Sequence, residues 1–192
     1  MNDPFYIQLM LDKGKLAAEK VRTEFSNVSL EQLNWKPMPH SWSIGQCLDH
    51  LIVSDSLYFP SLQKIAEGDY HMSFWEKWNP LSKYFGKTLV QQLQEQVTKK
   101  FKAPKVFTPS SSQIDIGILD RFQKHLDTML EYIAAHKRSN IDKVYITSPV
   151  SKFVTYSLRD AITILINHEH RHIHQAERVT QAKGYPAGMS NR

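Results

Sequence analysis

The sequence has a single cysteine, Cys47, among 192 residues. One thiol excludes an internal disulfide framework and any multi-cysteine zinc module, and it fits a reducing compartment. No apolar run reaches the roughly 18 residues that a spanning helix needs, so no membrane segment is expected. The stretch from Met1 to Leu16 mixes acids with lysines and does not read as a secretory leader. Glycine is scarce, at 7 residues, and there is no internal repeat or low-complexity linker. One domain over residues 1–192 is expected, soluble and cytoplasmic. A dense basic stripe is also missing. Lys plus Arg is 24 against 19 Asp plus Glu, a formal charge of +5. The one modest cluster, Lys99, Lys100, Lys102 and Lys105 near a prolyl loop, reads as a solvated face. Nucleic acid is not an expected partner.

What remains is an ordinary globular composition, with 41% hydrophobic and 22% charged residues, and one anomaly. Nine histidines are present, and His168, His170, His172 and His174 fall within seven positions.

Helical periodicity dominates the chain. Residues Pro4 to Phe25 carry Ile7, Met10, Leu11, Ala17, Ala18, Val21 and Phe25 on one stripe, with Gly14 placed for a close helix contact. Pro37 and Pro39 break the next stretch, leaving a packed loop with a helical turn near Ser29 to Leu33. Ser43 followed by Gln46 makes a capping box for a second helix reaching Gly68, striped by Ile44, Cys47, Leu48, Leu51, Tyr58, Leu62 and Ile65. His50 sits on the shoulder of that stripe. The segment from Asp69 to Ser112 is irregular, with a short helix predicted over Lys87 to Lys100. A third long helix is predicted from Gln113 to His136 and a fourth from Ser157 to about Lys183, stopped by Gly184 and Pro186. Between them, Lys137 to Tyr156 reads as loop, with β-prone residues around Val144 to Ile146. The fold class is therefore all-α, a four-helix bundle with long connections. Periodicity alone leaves the helix order open.

The fourth helix decides the chemistry. Its stripe of Ala161, Leu165, Ala176 and Val179 extends at helical spacing onto His168 and His172. These two are one turn apart on the face where the core should be. Two neutral imidazoles sharing a divalent cation explain that pattern better than two satisfied core histidines. His170 and His174 fall beside the stripe and read as a polar flank. The string from His168 to His172 also fits H-E-x-x-H, but the third ligand of that peptidase pattern has no counterpart downstream. A third ligand is then expected from upstream, among His40, His50, His71, His125, His136 and carboxylates. His50 is the best of these, in a well-capped helix and close to its apolar face, whereas His125 and His136 fall off the third helix's stripe and read as solvent-facing. Glu169 is a candidate base or acceptor for an imidazole N–H, as is Asp49, and Gln175 could orient a ligand. Cys47 reads as a small buried hydrophobe. Trp42, Trp75, Trp78 and Tyr58 are candidates for core or pocket lining.

Two stretches resemble the DinB-like (YfiT-like) superfamily of metal-binding four-helix bundles. One is Leu33-Asn34-Trp35-Lys36-Pro37 followed by Ser41-Trp42-Ser43-Ile44-Gly45-Gln46-Cys47-Leu48-Asp49-His50-Leu51. The other runs from Thr155 to Ala161 and on through His168-Glu169-His170-Arg171-His172 to Ala176. The resemblance implies a ligand triad of His50, His168 and His172 for a divalent metal, zinc or nickel. It also implies a homodimer, and either a thiol-dependent transferase or a metal-dependent hydrolase acting on a small molecule, with a low-molecular-weight thiol as partner. A cation on three histidines would lower the pKa of a bound water or of a substrate thiol. The competing expectation is a non-catalytic bundle that the metal stabilises for binding or dimerisation.

Overall fold

The computed structural model describes residues 3–94 and 109–187. The first helix, α1 (Pro4–Phe25), starts on a proline in its first turn, with the Asp3 carboxylate accepting the Tyr6 N–H at 3.0 Å. Ile7, Met10, Leu11, Ala17, Val21 and Phe25 are buried along it. Each fully buried side chain of this size contributes about 1.5–3 kcal/mol. Gly14 lies on the same stripe, and a Cβ there would collide with Leu130 Cδ2 and crowd Ile166. The absent side chain lets α1 pack close to two other helices.

After the turn α2 (Leu30–Asn34), α3 (Ile44–Ser56) begins on the predicted capping box. Ser43 Oγ accepts the Gln46 N–H at 3.2 Å, and the Gln46 side chain accepts the Ser43 N–H. This helix does not run to Gly68. It stops at Leu57, and α4 (Phe59–Glu67) restarts with Pro60 in its first turn. Pro60 has no N–H for the Ser56 carbonyl and its ring would crowd that carbonyl, so a continuous helix is excluded. Gly68, at φ 81, ends α4 as the sequence predicts.

The irregular middle contains two helices, α5 (Phe74–Trp78) and α6 (Ser82–Gln92). The second starts ahead of the expected Lys87. It ends at Gln92; residues 95–100 of that predicted helix, and the cluster Lys99, Lys100, Lys102 and Lys105, lie outside the described residues. Helix α7 (Ile118–Ala135) is shorter at its start than predicted and runs into a 3-10 turn, His136–Arg138.

A hairpin stands where the sequence suggested loop. Strands β1 (Tyr145–Ser148) and β2 (Ser151–Ser157) are antiparallel, pairing Tyr145 with Ser157, Ile146 with Tyr156 and Thr147 with Thr155. Two strands alone are marginal in water, and polar side chains from α5 and the start of α6 brace these. Asn79 Nδ2 donates to the Phe153 carbonyl at 3.2 Å and to Thr155 Oγ1 at 2.8 Å. The Glu76 carboxylate accepts from the Thr147 N–H at 2.9 Å, the Thr147 hydroxyl at 2.8 Å and the Tyr70 hydroxyl at 2.6 Å. Burial pushes the Glu76 pKa up, but the Tyr70, Ser73 and Thr147 donors outweigh it and hold the group below its ordinary 4.5. Glu76→Ala strands those donors and should cost roughly 2–3 kcal/mol, read as a lower urea midpoint. Because the folded pKa is depressed, this contribution is present above about pH 4.5 and is lost as pH falls through the folded value. A wild-type midpoint in the variant would contradict the bracing role.

The last helix, α8 (Leu158–Thr180), is capped by Ser157, whose Oγ accepts the Asp160 N–H at 3.1 Å. The helix order left open by the sequence is now fixed. Helix α1 packs on α7 and α8, and α3 packs on the same two. The circuit is therefore α1, α7, α3, α8, and it sets α3 directly against α8. The fold is all-α with one small hairpin among the described residues, and none of the described helices is long and apolar enough to cross a membrane.

Candidate metal centre

Helix α8 turns Ala161, Leu165, Ala176 and Val179 into the core. On the same face, His172 is buried and the His168 side chain is 11% exposed. Across from them, α3 contributes His50, 2% exposed. The three rings converge. Their centroids are 4.9 Å (His50–His168), 4.4 Å (His50–His172) and 4.7 Å (His168–His172) apart, and each pair meets edge to face. His50 Nε2 lies 3.0 Å from His168 Nε2.

Nε2 atoms that close must share something positive, since two lone pairs facing each other repel. Asp55 decides what His168 presents. Its Oδ1 lies 3.2 Å from His168 Nδ1. Burial raises the Asp55 pKa, but the hydrogen bond and charge of His168, with smaller effects of Glu169 and His125, bring it below the ordinary value. An ionised Asp55 has only acceptors, so the proton belongs on His168 Nδ1 and the Nε2 lone pair faces His50. Two imidazoles on a tetrahedral zinc at about 2.0–2.1 Å place their nitrogens about 3.3 Å apart. The observed 3.0 Å needs only a small adjustment, and the third ring offers its nitrogen within 4.8 Å of the others. The donor set thus fits a divalent metal cation.

His172 is kept neutral, as a ligand must be. Burial first, then the neighbouring His168, His50 and Arg171, hold its pKa well below 6.5, with Gln175 acting the other way. Trp42 covers the group, its ring 4.7 Å from that of His50 and 5.6 Å from that of His172.

The other candidates separate cleanly. His40 and His71 are exposed. His170 Nε2 meets the Lys13 carbonyl at 3.1 Å, and His174 joins Glu177, which pairs with Lys20. Both sit on the flank facing α1. Asp49 does not face an imidazole, because its carboxylate accepts the N–H and hydroxyl of Ser110. Cys47 is fully buried, and burial pushes its thiol up to about 12. Tyr58 is core, bonded to the Tyr156 hydroxyl at 2.8 Å. Trp75 and Trp78 are exposed on α5, away from any core. Gln175 is half-buried one turn beyond His172. Glu169 is fully buried, and its carboxyl groups with Asp55 and His125. Burial and the adjacent Asp55 push its pKa well above 4.5.

Sequence reasoning missed Asp55 altogether. Its signal was present: Asp55 is four residues past Leu51 and three before Tyr58, so it occupies the apolar stripe of α3. An acid on such a stripe needs a partner. His125 and His136, expected at the surface, are both buried.

Residues 15–176 match the family model of the DinB superfamily. The chain belongs to the DinB superfamily. Searches of the curated proteins and of the solved structures gave no match. The matched span contains His50, His168 and His172, so all three imidazoles lie in the DinB part of the chain.

Proposed function

We propose that this DinB-superfamily protein is a metal-dependent enzyme, a thiol-dependent transferase or hydrolase, with His50, His168 and His172 as its ligands. The observation that carries the reading is the convergence of three buried imidazoles, two of them 3.0 Å apart at Nε2. Three protein ligands leave at least one position open, the pattern of catalytic rather than structural sites. A zinc or nickel ion held there supplies Lewis acidity toward a water or a thiol. The chain's own groups do the rest. Asp55 fixes the His168 tautomer and ring orientation. Trp42 shields His50 and His172 from water. Gln175, one turn past His172, would orient a substrate, and Glu169 would act on the site through Asp55. The substrate is a small molecule, with a low-molecular-weight thiol as the co-reactant. The buried single thiol supports a cytoplasmic location. The exposed Phe5, Leu9 and Leu16 along α1 support a homodimer.

The test is an assay of zinc- and nickel-loaded protein with small thiols, electrophilic acceptors and activated esters. Turnover that disappears in His172→Ala is expected. A loaded protein that is metal-stabilised yet inert across that screen would favour the non-catalytic bundle instead.

A further inference from the structure

Beside the three imidazoles lies a second group that the proposed reaction does not use as a ligand set. Asp55 on α3, His125 on α7 and Glu169 on α8 meet in the core, each offering one ligand atom within 4.8 Å of the others. Their exposures are 1%, 9% and 0%. Apart from a proton that the Asp55 and Glu169 carboxyls can share, four polar atoms here have no hydrogen-bond partner among the described residues: Asp55 Oδ2, His125 Nε2 and both oxygens of Glu169. Buried polar atoms are almost always paired, so four orphans in one place need an explanation. The Phe59 ring stacks on His125 at 4.9 Å and 18°, fixing the imidazole plane. Asp55 Oδ1 is already engaged, accepting from His168 and from Ser54 Oγ at 3.2 Å each, which leaves Oδ2 turned to the group.

We infer that Asp55, His125 and Glu169 form a second cation site, adjacent to the three-histidine site and able to take harder divalent ions as well as zinc. Two acidic side chains held this close in a low-dielectric interior repel as carboxylates and need either a cation or a shared proton between them. A divalent ion neutralises both and accepts the His125 lone pair, satisfying one orphan atom on each residue. One imidazole with two carboxylates suits manganese, iron(II) or zinc, whereas three imidazoles suit zinc or nickel. The two sites share Asp55, one oxygen on the His168 N–H and the other on the second ion. Filling the second site therefore weakens Asp55 as an acceptor for His168, so the two sites are coupled. The inference stands independently of catalysis at the first site.

The experiment is a stoichiometric titration of metal-free protein with Zn²⁺ and with Mn²⁺, followed by calorimetry and elemental analysis, with Mn²⁺ spin resonance as a second readout. Wild type should take up two equivalents of Zn²⁺. Glu169→Gln, which keeps the shape, should take up one, and its bound-Mn²⁺ signal should disappear. His125→Phe serves as the second variant, since an aromatic ring keeps the stack on Phe59. It too should fall from two equivalents to one. His172→Ala should keep the carboxylate-held ion and so retain bound Mn²⁺. One equivalent in wild type with every ion, lost in His172→Ala and unchanged in Glu169→Gln, would overturn the second site. That result would leave the three-histidine reading intact and mean that the two acids share a proton. Two equivalents persisting in both Glu169→Gln and His125→Phe would place the second ion elsewhere and overturn it as well.

Discussion

His172→Ala is expected to weaken zinc binding at the three-histidine site by more than 100-fold. Loss of a group that merely orients a ligand typically costs about 10–100-fold, and removal of a ligand exceeds that. The cation would be left with His50 and His168, held 3.0 Å apart at Nε2 but without the third nitrogen. Because the site forms only on folding, weaker binding is also weaker metal-linked stabilisation. The metal-free variant should melt close to metal-free wild type, since the replaced imidazole makes no hydrogen bond through its buried Nδ1 among the described residues. Competition against a chromogenic chelator reads the affinity, and thermal melts with and without zinc read the linkage. An unchanged affinity would remove His172 from the site.

The second large effect belongs to a histidine in neither ligand group. His136 follows α7, is completely buried, and neither ring nitrogen has a hydrogen-bond partner among the described residues. Burial pushes its pKa down to about 4 from 6.5. The folded state therefore holds a neutral ring while the unfolded state takes up a proton below about pH 6.5. Stability rises with pH across that window and is lost as pH falls from about 6.5 toward 4. The loss amounts to about 3 kcal/mol. His136→Phe keeps the ring and removes the proton-binding site. Urea midpoints of the metal-free proteins at pH 7 and pH 4.5 should show a much smaller drop for the variant. Parallel drops would mean that His136 already carries its proton in the folded chain.

The sequence announced the bundle because its apolar stripes are long and regular. Capping residues at Ser43 and Ser157 marked two helix starts to the residue. It misjudged the second helix because the stripe continues through Tyr58 and Leu62, whereas Pro60 breaks the backbone without breaking the pattern. It missed the hairpin because the strands are held by Glu76, Asn79 and Ser82, side chains from a distant and irregular segment. The convergence of His50, His168 and His172 was legible because two of them interrupt one apolar stripe and the third shoulders another. The Asp55, His125 and Glu169 group was not, because each residue was read against its neighbours in sequence rather than against the opposite helix. His125 lies three residues past Phe122, and His136 seven past Met129, and both helical spacings point inward.

The most direct measurement is X-ray absorption on protein loaded with one equivalent of zinc. Three imidazole nitrogens at about 2.0–2.1 Å, with a light-atom fourth neighbour, are expected. A sulfur shell at about 2.3 Å, or fewer than three imidazoles, would contradict a site built from His50, His168 and His172.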